Sequence, residues 1–242
     1  MSTEPLLEIT VESLAAALAA ERGGADRIEL CADLGHGGLT PSLATMRKLH
    51  EELEIPVLPI IRPRAGDFIY SEKEFAIMKR DIALARDVGM DGVVFGILRR
   101  DGSVDVERCA ELVQWARPLE VTFHRAFDRT PDLLLALEDV IAAAATRILT
   151  AGGTSIAPEG VGLLRKLVCA AADRIVVMPG GGLEAGNIRK IAADTGAREF
   201  HSGLGSVLPY GSSNLAKFEA EIHGMKRQLT GFSQRKEVVS ES

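Results

Sequence analysis

His124, Arg125 and Asp128 fall within one short stretch, Val121-Thr122-Phe123-His124-Arg125-Ala126-Phe127-Asp128. Histidine exchanges a proton near neutral pH, arginine grips an oxyanion through parallel N–H groups, and a carboxylate can orient either one. β-Branched and aromatic residues run up to His124, and Thr130-Pro131 opens a helix beyond it. The three side chains therefore sit at a strand-to-helix junction, where α/β proteins place their chemistry. The plainer alternative is an Arg125–Asp128 pair bracing a loop, with His124 a satisfied polar residue.

Other junctions repeat the pattern. Arg62 and Arg64 follow the apolar run 56–61, with Asp67 in the same loop. Gly152-Gly153, Pro179-Gly180-Gly181-Gly182 and Ser202-Gly203-Leu204-Gly205-Ser206 each follow a strand-like run. Glycine adopts positive φ without strain, so such loops can turn several backbone N–H groups toward one anion. Gly152, Gly153, Gly180, Gly181 and Gly182 are thus candidate ligand-binding positions, with Arg62, Arg64 and Arg125 as bidentate clamps. Tight turns without a ligand are the alternative.

These junctions imply the elements that position them. The pattern predicts strands over 6–10, 25–31, 56–61, 92–96, 121–124, 146–150, 174–178 and 197–201. Helical patterns fill the intervals at roughly 25–30 residue spacing, and Ser71 with Glu74 forms a capping-box signature. Pro59 is awkward inside a central strand. Alternation of this kind, with no compositional break, is the pattern of an α/β chain folded as a single (β/α)8 TIM barrel over residues 1–231. The polar stretch 232–242 is expected to be a disordered tail. An open doubly wound sheet would carry G-x-G-x-x-G after its first strand, and Thr10-Val11-Glu12-Ser13 does not.

Strand parity says what faces the barrel interior. If Leu7, Ile9, Ile28, Leu30 and Phe200 face helices, then Glu8, Thr10, Glu29, Cys31, Glu199 and His201 face inward. Arg62, Thr122 and His124 join them. Buried carboxylates require cations, shared protons or a ligand. One reading is an internal salt-bridge network with Arg27, Arg62 or Arg198. The other is a polar pocket in which Glu8, Glu29 and His201 meet a ligand, with a carboxylate of raised pKa.

Composition narrows the classes. The chain has 242 residues, 46% hydrophobic, with formal net charge -6. That balance argues against a nucleic-acid partner. No apolar run approaches the ~18 residues of a membrane span, and the first residues lack a signal-peptide pattern. Cys31, Cys109 and Cys169 are few and scattered, which points to the cytoplasm. Cys109 and Cys169 read as helix core residues.

Arg27-Ile28-Glu29-Leu30-Cys31, Gly38-Leu39-Thr40-Pro41-Ser42, Ile61-Arg62-Pro63-Arg64 with Gly66-Asp67-Phe68, Phe123-His124-Arg125-Ala126-Phe127-Asp128, Met178-Pro179-Gly180-Gly181-Gly182 and Glu199-Phe200-His201 together resemble the CutC family. The resemblance spans nearly the whole chain. It implies a cytoplasmic TIM barrel associated with copper homeostasis and copper binding. Ala151 and Ser202-Gly203-Leu204 depart from the family's usual residues, and both lie at the expected anion site.

Copper and anion chemistry ask for different residues. Cu(I) wants closely spaced thiolate or thioether ligands. The chain has no C-x-x-C, so Cys31 is the one candidate thiolate, with His124 or His201 beside it. An enzyme of lyase, isomerase or hydrolase type would instead use Glu29 or His124 as base, Asp128 to orient, and Arg62 with Arg64 to hold a small anionic substrate. Three inward carboxylates could also hold a hard divalent cation. The helical surfaces leave room for a homo-oligomer.

Overall fold

A computed structural model describes residues 4–205 and 214–230. The 232–242 tail and Ser206 of the last glycine loop lie outside the described residues. Eight strands alternate with eight α-helices: β1 Leu6–Val11, α1 Leu14–Arg22, β2 Arg27–Leu30, α2 Leu43–Glu52, β3 Val57–Pro59, α3 Glu72–Val88, β4 Gly92–Phe95, α4 Val106–Ala116, β5 Glu120–Phe123, α5 Leu133–Ala142, β6 Arg147–Thr150, α6 Val161–Ala171, β7 Val176–Pro179, α7 Ile188–Thr195, β8 Glu199–Ser202 and α8 Leu215–Leu229. All the strand pairings are parallel, as a barrel of βα units requires.

Most expected elements fall where the patterning puts them, with ends moved by local chemistry. Several helices start later than expected because a side chain caps them: Ser13 accepts from Ala16 N, Ser42 from Thr45 N, and Asp132 from Leu134 N and Leu135 N. Ser71 and Glu74 form the expected capping box on α3. Short 3₁₀ turns at Arg125–Arg129 and Ala157–Glu159 take up stretches predicted as loop or α-helix.

The barrel is built from two four-stranded arcs, β3-β2-β1-β8 and β4-β5-β6-β7. Single bridges join them, Ile60 with Val94 and Gly180 with His201. Pro59 explains the first seam. Ile60 N–H donates to Leu30 O and Ile61 N–H to Val94 O, so alternate residues of this strand face β2 and β4. Pro59 faces β4 and has no N–H to give, so the ladder stops there.

Outward strand residues Leu7, Ile9, Ile28, Leu30, Ile148 and Phe200 are fully buried against helix residues such as Ala17, Leu49, Leu112, Leu137, Leu164 and Met225. Each such side chain stabilises the fold by about 1.5–3 kcal/mol. A smaller apolar layer, Cys31, Leu58, Ile60 and Val94, packs separately from this core. Cys109 is buried as expected, but Cys169 is exposed on α6. Its position falls on the solvent side of a helix whose buried residues are Leu164, Leu167 and Ala171.

Candidate functional site

The interior divides into a closed ionic layer and an open cavity above it. Both follow from strand parity. In the closed layer Arg27 pairs with Glu8 and donates to Glu199 at 2.8 Å. Arg147 donates to Glu199 at 2.5 Å and to Glu120 at 3.0 Å. Arg27 also lies 3.3 Å from Met178 Sδ. Of the cations expected to neutralise the carboxylates, Arg27 takes part, while Arg62 and Arg198 do not. Arg147 takes the remaining role. Its alternation with Leu149 around the outward Ile148 is the signal that would have found it.

This arrangement removes Glu8 and Glu199 from ligand contact. Glu8 Oε2 is held by Arg27 and Oε1 by His201 Nδ1 at 2.7 Å. Burial opposes charging Glu8, but Arg27 and His201 outweigh it and hold its carboxyl well below the usual range. With Arg27 between Glu8 and Glu199, the three inward carboxylates do not converge on a common cation. Among the described residues, no group of three or more His, Cys, Asp or Glu side chains is placed to hold a metal ion.

Above this layer lies a cavity of about 540 Å³ at the C-terminal ends of the strands. From one arc come Thr10, Glu29, Cys31 and His201, with Arg62 just past β3. From the other come His124, Arg125, Leu149, Gly181 and Gly182. Phe68 and Ile156 close the sides.

Thr10 links two of the titratable groups, a role that parity alone did not reveal. Its hydroxyl lies 2.8 Å from Glu29 Oε2 and 2.8 Å from His201 Nε2. A hydroxyl has one hydrogen to give. When Thr10 donates to Glu29, His201 must donate from Nε2 as well as from Nδ1 and is an imidazolium. When Thr10 donates to His201, Glu29 must carry the proton instead. The trio thus holds one proton that either end can keep. Burial raises Glu29, and the charge of Glu8 adds to that. Burial works against the His201 charge, but its bond to Glu8 and the charges of Glu29 and Glu8 raise it. The other oxygen of Glu29, Oε1, makes no hydrogen bond among the described residues, and Glu29 lines the cavity.

His124 behaves differently. It is 5% exposed, and its Nδ1 accepts from Ala126 N at 3.2 Å. The ring's one proton therefore sits on Nε2. Burial, with Arg62 adding to it, pushes His124 down to about 3, so it stays neutral. Phe68 lies against it with ring centroids 4.8 Å apart. The backbone of Gly96 fits under the ring, where an added Cβ would come within 2.6 Å of Nδ1.

Arg62 is held mainly by backbone carbonyls. Its Nη1 donates to His36, Gly37 and Gly38 O, and its Nη2 to Gly66 O. That tethers two loops and leaves Nε outside the tether. Arg62 Nε and His124 Nε2 are buried and have no hydrogen-bond partner among the described residues. The Tyr70 hydroxyl beside Arg62 is also unpartnered, and burial pushes it up to about 12.

Two expected ligand groups are elsewhere. Arg64 does not reach the cavity, because it binds Glu74 at 2.6 Å and Asp67 at 2.7 Å. Asp67 serves as its partner, outside the cavity. Asp128 is fully engaged: it accepts from Arg125 Nε at 2.8 Å, Thr150 Oγ1 at 2.5 Å, Ala151 N and Gly153 N. It orients Arg125, whose Nη2 also donates to Thr154 O and Ser155 O. The Asp128 brace thus coexists with an arginine that reaches the cavity.

The glycine loops divide in the same way. Gly152 N goes to Thr150 Oγ1, Gly153 N to Asp128, and Gly180 N to Thr150 O, so none of these N–H groups is left for an anion. Gly181 and Gly182 have φ of 96° and 69° and line the cavity, and their N–H groups have no partner among the described residues. Arg125 Nη1 would lie 2.9 Å from a Cβ at Gly181, so glycine is what lets the guanidinium approach.

Cys31 also faces the cavity, yet burial and the charges of Glu29, Glu12 and Glu8 keep its thiol well above its usual pKa. Its sulfur holds its proton. With one protonated thiol and both nitrogens of His201 hydrogen-bonded, this donor set does not fit a soft Cu(I) site.

Comparison with known proteins places these residues in context. The family model described as CutC family matches residues 5–206. The human protein named copper homeostasis protein cutC homolog is 50% identical over 196 residues, 81% of this chain and 72% of that one. A CutC family protein of Chromobacterium violaceum is 44% identical over 235 residues, 96% of this chain and 95% of its own. The crystal structure of the putative copper homeostasis protein CutC from Streptococcus agalactiae superposes with TM-score 0.79 at 33% identity, covering 82% of this chain and 98% of that one. A phosphoribosylanthranilate isomerase from Thermotoga maritima superposes at TM-score 0.60 with 14% identity over 92% of this chain and 99% of its own, which shows the shared barrel and nothing further. The Arg62 and His124 segments, the eight-stranded barrel and the match over most of the length agree: the chain belongs to the CutC family.

Proposed function

We propose that this protein takes part in copper homeostasis, as its relatives' names state, through a cavity that binds a small anionic ligand and acts on it as an enzyme. The observation that carries the ligand reading is the pair of buried, unpartnered donors, Arg62 Nε and His124 Nε2. An unsatisfied buried donor costs about 1–3 kcal/mol, and a ligand oxygen between them would recover that. Gly181, Gly182 and Arg125 supply further donors for a phosphate or carboxylate. A thermal-shift panel of phosphorylated and carboxylate compounds tests this. Stabilisation that disappears in Arg62→Met is the expected result, and no stabilisation by any compound would defeat it.

Direct copper binding is the second reading: the sulfur of Cys31 lies in the cavity wall, and copper would have to displace its proton and draw in ligands that are now hydrogen-bonded. An anaerobic Cu(I) titration against a chromophoric chelator decides it. Tight binding lost in Cys31→Ser would make copper a direct ligand. No competition with the chelator would make the link to copper indirect. A cytoplasmic location belongs to the same proposal. The described helices include none long and apolar enough to cross a membrane. Trp115 on α4 and Leu134 and Leu135 on α5 are exposed apolar side chains through which a homo-oligomer would form.

A further inference from the structure

We infer that the cavity catalyses proton transfer at a carbon next to a carbonyl, with Glu29 Oε1 as the base and His124 Nε2–H and Arg62 Nε–H as the donors to the carbonyl oxygen. The inference rests on the anionic-ligand reading and names its reaction and substrate class: a small ketone or aldehyde with a phosphate or carboxylate tail.

The geometry separates the roles that the residue types left open. His124 cannot be the base, because its Nδ1 lone pair is taken by Ala126 N–H. What it offers is a neutral N–H. A neutral imidazole donates to a developing oxyanion without first having to lose a charge. Arg62 comes from the opposite arc with its Nε–H unpartnered, and its two terminal nitrogens are anchored to four carbonyl groups. Such fixed, desolvated donors need no rearrangement as charge develops. Glu29 has the complementary form. Thr10 holds Oε2, and Oε1 is left without a protein partner on a residue that lines the cavity. Gly181, Gly182 and Arg125 occupy a third wall, where an anionic tail would anchor the substrate.

The step balances without a co-reactant. The substrate C–H bond breaks and its proton goes to Glu29 Oε1. The electron pair of that bond forms the C=C of an enolate, and the carbonyl π pair moves to the oxygen held by His124 and Arg62. Where the carbon that lost its proton bears a hydroxyl, transfer of the hydroxyl proton to the oxygen held by His124 and Arg62 moves the carbonyl over, and return of the carbon proton from Glu29 to the former carbonyl carbon completes an isomerisation. Exchange of the Glu29 proton with water before return to the original carbon gives exchange with solvent. Thr10 is a positioning residue here, because it touches Glu29 and not the substrate.

The test uses the full chain and dihydroxyacetone phosphate, which has an acidic C–H beside a ketone and an anionic tail. Binding is read by calorimetry, and exchange by loss of the C–H proton signal in D₂O. The expected result is binding with exchange above the buffer rate. Glu29→Gln should lower exchange by about 10²–10⁴-fold. His124→Gln should lower it by about 10²–10³-fold. In both variants the Kd should stay within about tenfold. Thr10→Val should lose exchange while Thr10→Ser restores it, a rescue that loss of fold would not show. Binding without exchange overturns the proton-transfer assignment and leaves the ligand reading standing. No binding overturns both. Exchange that survives Glu29→Gln overturns the choice of base.

Discussion

Glu8 and Arg27 form an ion pair at the centre of the barrel, with side chains 0% and 4% exposed. The pair is held on both sides, by His201 on Glu8 and by Glu199 on Arg27. Breaking a buried pair leaves its partner's charge without compensation, which typically costs about 3–5 kcal/mol. Arg27→Met should therefore destabilise the protein by that order in urea unfolding. Arg174→Ala, which removes a pair to Glu138 with both partners about half exposed, should cost far less, because solvent screens that pair. Equal effects would show that the inner layer contributes no more than the surface.

The pH dependence should carry the signature of His124. Its folded value is about 3, whereas a free histidine titrates near 6.5. Between those values the unfolded chain binds the extra proton. Stability should therefore fall as pH drops from about 6.5, by up to about 1.4 kcal/mol per unit for this group. Glu8, held low, gives up its contribution only below its unfolded value near 4.5. His201 runs the other way: its value is raised, so its contribution is complete below about 6.5 and is lost as pH rises through its folded value. The difference between wild type and His124→Gln, measured by denaturation at pH 7 and pH 5, isolates the first term. An unchanged difference between the two pH values would mean that the ring is not held neutral.

Gly96→Ala should be costly. The new Cβ would sit 2.6 Å from His124 Nδ1 and 3.0 Å from Ala126 Cβ. Overpacking of this kind costs about 1–3 kcal/mol, and here it also displaces the ring that faces the ligand. Gly162, in α6, has nothing within 4 Å of an added Cβ, so Gly162→Ala should stabilise by up to about 1 kcal/mol. Thermal denaturation of both variants checks the contrast.

Asp128→Asn should weaken ligand binding without touching the ligand. The amide can no longer accept from Arg125, Thr150, Ala151 and Gly153 together. Losing one charge-assisted bond costs about 1.5–3 kcal/mol of stability. Arg125 should then lose its fixed orientation, and the affinity for an anionic tail should drop more than that for an uncharged ketone. Calorimetry with paired phosphorylated and dephosphorylated ligands reads the difference.

The barrel was legible because each βα unit announces itself through an apolar run, a turn and a cap. The candidate site was legible in part. Strand parity identified Glu29, Cys31, His124 and His201 as inward-facing, because side chains on a strand alternate whatever their chemistry. It could not tell which inward groups would be taken by other protein groups. Glu8 and Glu29 have the same side chain and the same parity, yet one is neutralised by Arg27 and the other faces the cavity. Arg64 and Arg62 are two residues apart in one loop, and only the fold of that loop turns Arg64 back onto Glu74. The glycines divide likewise: Gly153 and Gly181 share positive φ, but Asp128 already occupies the N–H of the first. Long-range partners decided each case, and local patterning does not encode them.

The two seams of the barrel lie on opposite sides of the cavity. One arc holds the proton-accepting carboxylate and the other holds the neutral imidazole, and between the arcs there are single bridges at Ile60–Val94 and Gly180–His201. A ligand reaching from Glu29 to His124 spans the two half-shells like a clasp. Filling the cavity and tightening the barrel would then be one event, and the distance between base and oxyanion donors would be set by how firmly the halves meet.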